Sequence, residues 1–338
     1  MSLKVELESV FFANDVENRS AKLEHLPEKV ISFQSADLVE SFQEGVDYEV
    51  NYEKGSIHLT DDSKVKSYNL LDDVLGERNF INKNNHDKPF FHGEADFMHS
   101  KQYLISYETI EKKEESIPWK KSCAEKYEKF RELLNDKKES HLLLLGDSIS
   151  VGYNASGFVD AKPYQAAYGE LIKEFLQKKF NTSISFKNIS KAGAISKWAL
   201  SQMDEIKKTH PDLAVVAFGM NDSGRENFIK VSDRYENNIK EIIEKLRLLN
   251  PKVEIVLVAN MLSNNDFRPH EGHFENRRRL YKLSSQYENV AVADVMSRTE
   301  ILLKRKKFAD ISGNNLNHPN DFLHREYAKV ILCTLGID

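Results

Sequence analysis

A hydroxyl, a carboxamide and an imidazole stand in this chain where they could form one acyl-transfer site. Gly146-Asp147-Ser148 follows the apolar run Leu142–Leu145, and Gly219-Met220-Asn221-Asp222 follows Leu213–Phe218. Asn315-Leu316-Asn317-His318-Pro319-Asn320-Asp321 precedes a final amphipathic stretch. A serine hydroxyl is a weak nucleophile until a base takes its proton, a role that suits His318, which can then return the proton to the leaving alcohol. An asparagine amide can donate to the oxyanion that develops on the attacked carbonyl, a role that suits Asn221. Each block alone has an ordinary reading. Asp-Ser caps helices, Asn closes turns after strands, and a histidine before proline is commonly structural. Their joint occurrence, each at the end of an element, points to chemistry.

Two kinds of sequence pattern supply those elements. Up to about residue 108 the chain alternates in short segments separated by turn residues. Val30–Phe33, Tyr48–Tyr52, Ser56–Leu59 and Tyr103–Tyr107 read as strands, with a hairpin turn at Tyr52–Ser56. Several short strands with little helix predict a β-sandwich over 1–108. The polar stretch Asn82–Asp87 reads as a loop, with His86 a solvated member of it. From Glu111 to Ser140 a charged helical pattern broken by Pro118 predicts a linking segment over 109–140, with Trp119, Tyr127, Phe130, Leu133 and Leu134 on one face. After His141 the pattern becomes strand–helix–strand. Apolar runs at Leu142–Leu145, Ile184–Phe186, Leu213–Phe218, Val253–Val258 and Val290–Val295 alternate with helical stretches, the clearest being Asn227–Leu249. Continuous apolar strands alternating with helices predict a parallel sheet covered on both faces, an α/β domain over 141–338. Ligands of such sheets bind beyond the carboxyl ends of the strands, where the motif residues fall.

Taken in order, the blocks resemble those of the SGNH, or GDSL, hydrolases, which carry Ser, Gly, Asn and His in sequence. The resemblance covers roughly the last 200 residues. It implies a flavodoxin-like sheet, a serine esterase mechanism, and a role for Gly193 as the glycine of the second block. The oxyanion would then be held by the N–H groups of Ser148 and Gly193 and by the Asn221 side chain. Asp222 is expected to hold its loop or cap a helix, Pro319 to open the last helix, and His324 to lie on it. The chain departs from the family at one position. Where the family carries Asp three residues before the histidine, this sequence has Asn315. Asparagine can accept a hydrogen bond from the ring N–H but cannot balance an imidazolium by charge. The expectation is a Ser148–His318 dyad supported by Asn315, with a backbone carbonyl, Asp310 or Asp321 as alternatives.

A β-sandwich ahead of such a domain resembles certain carbohydrate esterases, including family 2. The resemblance implies removal of acetyl groups from a sugar. The rival readings are a lysophospholipase or thioesterase on the same fold, and a catalytically weak glycan-binding protein.

Composition narrows the field. The chain has 338 residues, a net charge of −5 and no basic stripe, which disfavours nucleic acid as a partner. The expected partner is a small-molecule or glycan ester. Cys123 and Cys333 lie far apart with no metal spacing, as free thiols of a reducing compartment would. No signal pattern opens the sequence, and no run approaches the roughly 20 apolar residues of a membrane span. The expectation is a cytoplasmic enzyme needing no cofactor. Between Asn264 and Arg279, His270-x-x-His273 has a spacing that a metal could use, but no third ligand is evident. That stretch reads as a substrate-binding or ordinary surface loop.

Overall fold

The computed structural model describes residues 2–14, 19–68, 91–110, 123–223 and 228–337. The expected loop at 82–87, with His86, and the part of the linking segment holding Pro118 and Trp119 lie outside them.

Among the described residues, the N-terminal part has six strands: β1 (Leu3–Val10), β2 (Ser20–Lys22), β3 (Lys29–Ser35), β4 (Tyr48–Asn51), β5 (Ser56–Leu59) and β6 (Tyr103–Thr109). They pair antiparallel in two three-stranded sheets, ordered β1-β6-β3 and β2-β5-β4. Residues from both sheets share one core, with Val10, Phe33, Ile105 and Tyr107 of one meeting Ala21, Tyr48 and Ile57 of the other. The pattern of period two therefore delivers two sheets face to face. In β1 the register with β6 jumps between Val5 and Glu8, with Leu7 at φ 51°. Such a bulge re-aims the next side chain, and Glu8 is buried.

The C-terminal part has five strands, β7 (Ser140–Gly146), β8 (Ile184–Ser190), β9 (Leu213–Ala217), β10 (Glu254–Ala259) and β11 (Val290–Asp294). Among the described residues, ten α-helices precede, separate and follow them. They are α1 (Glu128–Asn135), α2 (Ser148–Val151), α3 (Tyr168–Phe180), α4 (Ser196–Leu200), α5 (Met203–Lys207), α6 (Phe228–Leu249), α7 (Glu271–Ser284), α8 (Val295–Leu303), α9 (Phe308–Ile311) and α10 (Asp321–Thr334). The strands are parallel in the order β11-β10-β9-β7-β8. Counted from the first strand of this sheet, that is the flavodoxin-like order 2-1-3-4-5, with its switch point between β7 and β9.

The apolar runs lack a polar alternate because both faces are covered. Leu142 and Leu144 of β7 join α3 and α10 on one face, while Leu143 and Leu145 join α4 to α7 on the other. The first helix belongs to this packing more than to a linker: Tyr127, Phe130 and Leu134 lie in the α3/α10 core. Buried Glu254 accepts from the N–H groups of Lys129 and Phe130, satisfying donors that open that helix.

Charged and amide groups join the two parts. Lys306 donates to Glu8 at 2.5 Å, and both side chains have 0% exposure. Arg298 holds Glu24 through two contacts of 2.5 and 2.7 Å and Glu326 at 2.5 Å. Burial alone would raise the Glu24 carboxyl; the Arg298 charge overrides it and holds the group well below the carboxylate range. The Asn320 amide reaches Ser9 and Gln102, and Gln102 donates to the carbonyls of Ala309 and Ser312. Among the described residues, no helix is long and apolar enough to cross a membrane.

Candidate active site

Ser148 leaves β7 at the switch point. Gly146 makes the exit possible by close approach: a Cβ there would stand 2.0 Å from Ser150 Oγ and 2.9 Å from the Ala217 carbonyl. The buried Asp147 caps α2, its Oδ1 accepting from Ile149 N–H at 3.0 Å. Its Oδ2 finds no hydrogen-bond partner among the described residues, and burial pushes the carboxyl up to about 7.

His318 arrives from the loop before α10. Its Nε2 lies 2.9 Å from Ser148 Oγ, so the expected nucleophile and base are brought together. The loop is closed on itself: Gly313 N–H and Ser312 Oγ both donate to the His318 carbonyl, and a bridge joins Ser312 to Pro319. Pro319 precedes the helix without opening it, because Asn320 is the cap and accepts from Leu323 N–H. His324 lies on α10 as expected, buried against Tyr168, and burial pulls it down to about 3.

On the other ring nitrogen the structure corrects the sequence reading. Asn315 does not reach the ring. Its backbone is left-handed at φ 58°, and its amide is turned to the Phe91 carbonyl at 2.6 Å. Asp310 and Asp321 do not serve either. Asp310 accepts from Phe11 and Lys307 N–H, and Asp321 accepts from Ser156 N–H. The nearest acceptor on Nδ1 is Asn154, whose Oδ1 lies 2.7 Å away. The Asn154 amide is oriented by its donation to the Ala95 carbonyl at 2.9 Å, which leaves the oxygen facing the ring. Nδ1 therefore carries the proton, and Nε2 presents its lone pair to the serine. Sequence reasoning passed over Asn154 because nothing local marks it.

The segments carrying Gly193 and Asn221 form a linked pair of turns. Gly193 sits between β8 and α4 at φ 72°, with no atom within 4 Å of where a Cβ would be. That conformation favours glycine and leaves open space over the turn. Asn221 follows β9, and its amide donates one hydrogen to the Ala194 carbonyl at 3.0 Å, leaving a second for a ligand. Asp222 clamps the same turn, accepting from Ser196 N–H and Oγ. Asn221 is thus fixed beside the Gly193 turn.

The 264–279 stretch packs on these loops. Arg268 donates to the Met220 carbonyl and to Ser223, and Asn264 holds the backbone of Asn315 and Leu316. His273 is buried between Ser223 and Ser263, and burial drives it down to about 3. His270 contacts the Ser263 carbonyl. The two histidines buttress the loop. Among the described residues no group of three His, Cys, Asp or Glu side chains is placed to hold a metal.

A nucleophile with an aligned imidazole at the switch point of a parallel sheet defines an acyl-transfer architecture. The profile of the GDSL-like Lipase/Acylhydrolase family matches residues 144–325, a span that holds Ser148, Gly193, Asn221 and His318. The chain belongs to that family. Among solved structures it is similar to a two-domain esterase, CEX, active on acetylated mannans, at 20% identity and a TM-score of 0.51. That similarity covers 64% of this chain and 53% of CEX, so the match spans about half the length of that protein. A variant of Axe2, an acetyl xylan esterase from Geobacillus stearothermophilus, is similar at 20% identity and a TM-score of 0.47, covering 59% of this chain and 95% of that one. No curated protein sequence matches the chain.

Proposed function

We propose that the protein is a cofactor-independent serine esterase that removes O-acyl groups, with acetyl groups on a carbohydrate as its substrate class. The observation that carries the reading is the line Asn154 Oδ1–His318–Ser148 Oγ, with contacts of 2.7 and 2.9 Å on the two ring nitrogens. Ser148 Oγ attacks the acyl carbon while its proton passes to His318 Nε2. The oxyanion is met by the N–H groups of Ser148 and Gly193 and by the free hydrogen of the Asn221 amide. Collapse transfers the proton from Nε2 to the leaving sugar oxygen. Water, activated by the same nitrogen, then releases the acyl group from Ser148.

Two observations support a sugar. Tyr153 meets the His318 ring edge-on at 5.3 Å and stacks on Phe158 at 4.6 Å, and Phe158 is 47% exposed. An exposed aromatic ring stacked on the one that meets His318 suits a pyranose ring. CEX, which shares the fold, is active on acetylated mannans.

The test is turnover of p-nitrophenyl esters of increasing chain length, and of acetylated xylan and mannan, by the wild type and Ser148→Ala. Acetate should lead the ester series, with activity lost by about 10⁴-fold or more in the variant. Undiminished turnover by Ser148→Ala overturns the mechanism. A preference for long acyl chains would favour the lipase or thioesterase reading, and no turnover at all the glycan-binding one.

A further inference from the structure

We propose that Glu94, carried by the N-terminal part of the chain, supplies the carboxylate of this site, acting as a positioning residue for His318 together with Asn314. The proposal rests on the esterase reading and names what stands in for the acid missing at Asn315.

Two amides around Nδ1 have their orientations set by other contacts. Asn154 is fixed with its oxygen toward the ring by its bond to the Ala95 carbonyl. Asn314 Oδ1 accepts from three backbone N–H groups, those of Leu316, Asn317 and His318, at 2.9, 3.0 and 3.1 Å. Its Nδ2 must therefore point outward, and it lies 3.0 Å from His318 Nδ1, a donor beside a donor. The outward Asn314 amide meets two acceptors, Asn317 Oδ1 at 3.3 Å and Glu94 Oε1 at 3.1 Å, and Glu94 Oε2 stands 3.7 Å from Nδ1.

A carboxylate matters most during the reaction. When the serine proton reaches Nε2, the ring becomes a cation, and a carboxamide oxygen cannot match that charge. Glu94 is a carboxylate within ion-pair distance of it. Burial raises the Glu94 carboxyl, but His318 and Asn314 more than offset this and hold it below its ordinary range. The other titratable groups around the pair are His92, which adds to the lowering at Glu94, and His324, which burial keeps neutral. The Glu94 side chain is 58% exposed, so solvent screens its charge and its contribution is smaller than that of a buried triad acid.

The experiment measures kcat, KM and pH profiles on an acetyl ester for the wild type, Glu94→Gln, Asn154→Asp and the double variant, with Ser148→Ala alongside. Glu94→Gln should lower kcat roughly 3- to 5-fold with KM within about twofold. The acid limb of its kcat/KM profile should move to lower pH, because the imidazolium has lost a stabilising charge. Added salt should slow the wild type more than Glu94→Gln. Asn154→Asp in the Glu94→Gln background should restore kcat and return the limb to higher pH, by placing a carboxylate directly on Nδ1. A Glu94→Gln enzyme within twofold of wild type overturns the inference. So does a loss with an unmoved limb, no change in salt response and no rescue, which marks a structural role. If Ser148→Ala is inactive while either result holds, only this inference fails; an active Ser148→Ala takes the esterase reading down with it.

Discussion

Replacing Lys306 by methionine should destabilise the protein by about 3–5 kcal/mol, the cost of leaving one partner of a buried ion pair alone. Methionine keeps most of the lysine stem, so the perturbation is loss of charge more than creation of a cavity. Both side chains of the pair have 0% exposure, so water cannot replace the ammonium without opening the seam between the two parts. Burial opposes the charged lysine, and Glu8 and Asp310 more than compensate, raising its pKa. Glu8 would keep two donors, Tyr107 O–H at 2.7 Å and Glu24 N–H at 2.9 Å. Those bonds place the expected loss in the lower half of the range, about 3 kcal/mol. Urea unfolding followed by circular dichroism measures it: with a slope of about 3 kcal/mol/M, the midpoint should fall by about 1 M. Adding Glu8→Gln to Lys306→Met removes the stranded charge and should regain most of the loss. A single variant costing less than about 1 kcal/mol, or a double variant no more stable than the single, refutes the view that an isolated buried charge sets the cost.

Asn221→Ala removes the amide proposed to meet the oxyanion and should lower kcat by about 10²–10³, equivalent to about 2.7–4 kcal/mol, with KM little changed; steady-state kinetics on an acetyl ester checks it. Asp147 is an acid whose folded pKa is raised, from 3.8 to about 7. Its favourable contribution is therefore fully present below about 4 and lost as pH rises through about 7, at most about 4 kcal/mol. Asp147→Asn retains a capping oxygen, so its stability relative to wild type should improve from pH 5 to pH 8, as read from urea midpoints at both pH values; an unchanged difference excludes an Asp147 that titrates in the folded state.

The parallel sheet was legible because its strands are buried on both faces. Leu142–Leu145 and Leu213–Ala217 alternate between two cores, so each run is apolar throughout. β1 went unread for the opposite reason: Glu8 lies inside, satisfied by Lys306, Tyr107 and the Glu24 N–H, and its charge disguises a buried position. That Ser148 and His318 would meet was legible because each ends or precedes an element. The groups on Nδ1 were not. Spacing along the chain placed Asn315 near the ring, but only backbone geometry shows that a left-handed φ turns it toward Phe91. Asn154 and Glu94 come from remote segments, and no local pattern singles out either. The Asn264–Arg279 stretch reads as a loop in sequence, but from Glu271 it is helix α7, which sets His273 against two serine hydroxyls.

The seam of Glu8, Glu24, Lys306, Arg298 and Arg305 makes this chain a poor subject for domain shuffling. Arg305 donates to the carbonyls of Leu23 and Lys54, so even backbone groups of the first sheets are claimed by the end of the α8 region. A chimera that grafts another accessory module onto the parallel sheet would leave Lys306 without Glu8, Arg298 with Glu326 alone, and Arg305 without the carbonyls it meets. Its designer would need to transplant the matching acidic residues along with the graft, or neutralise both sides of the joint together.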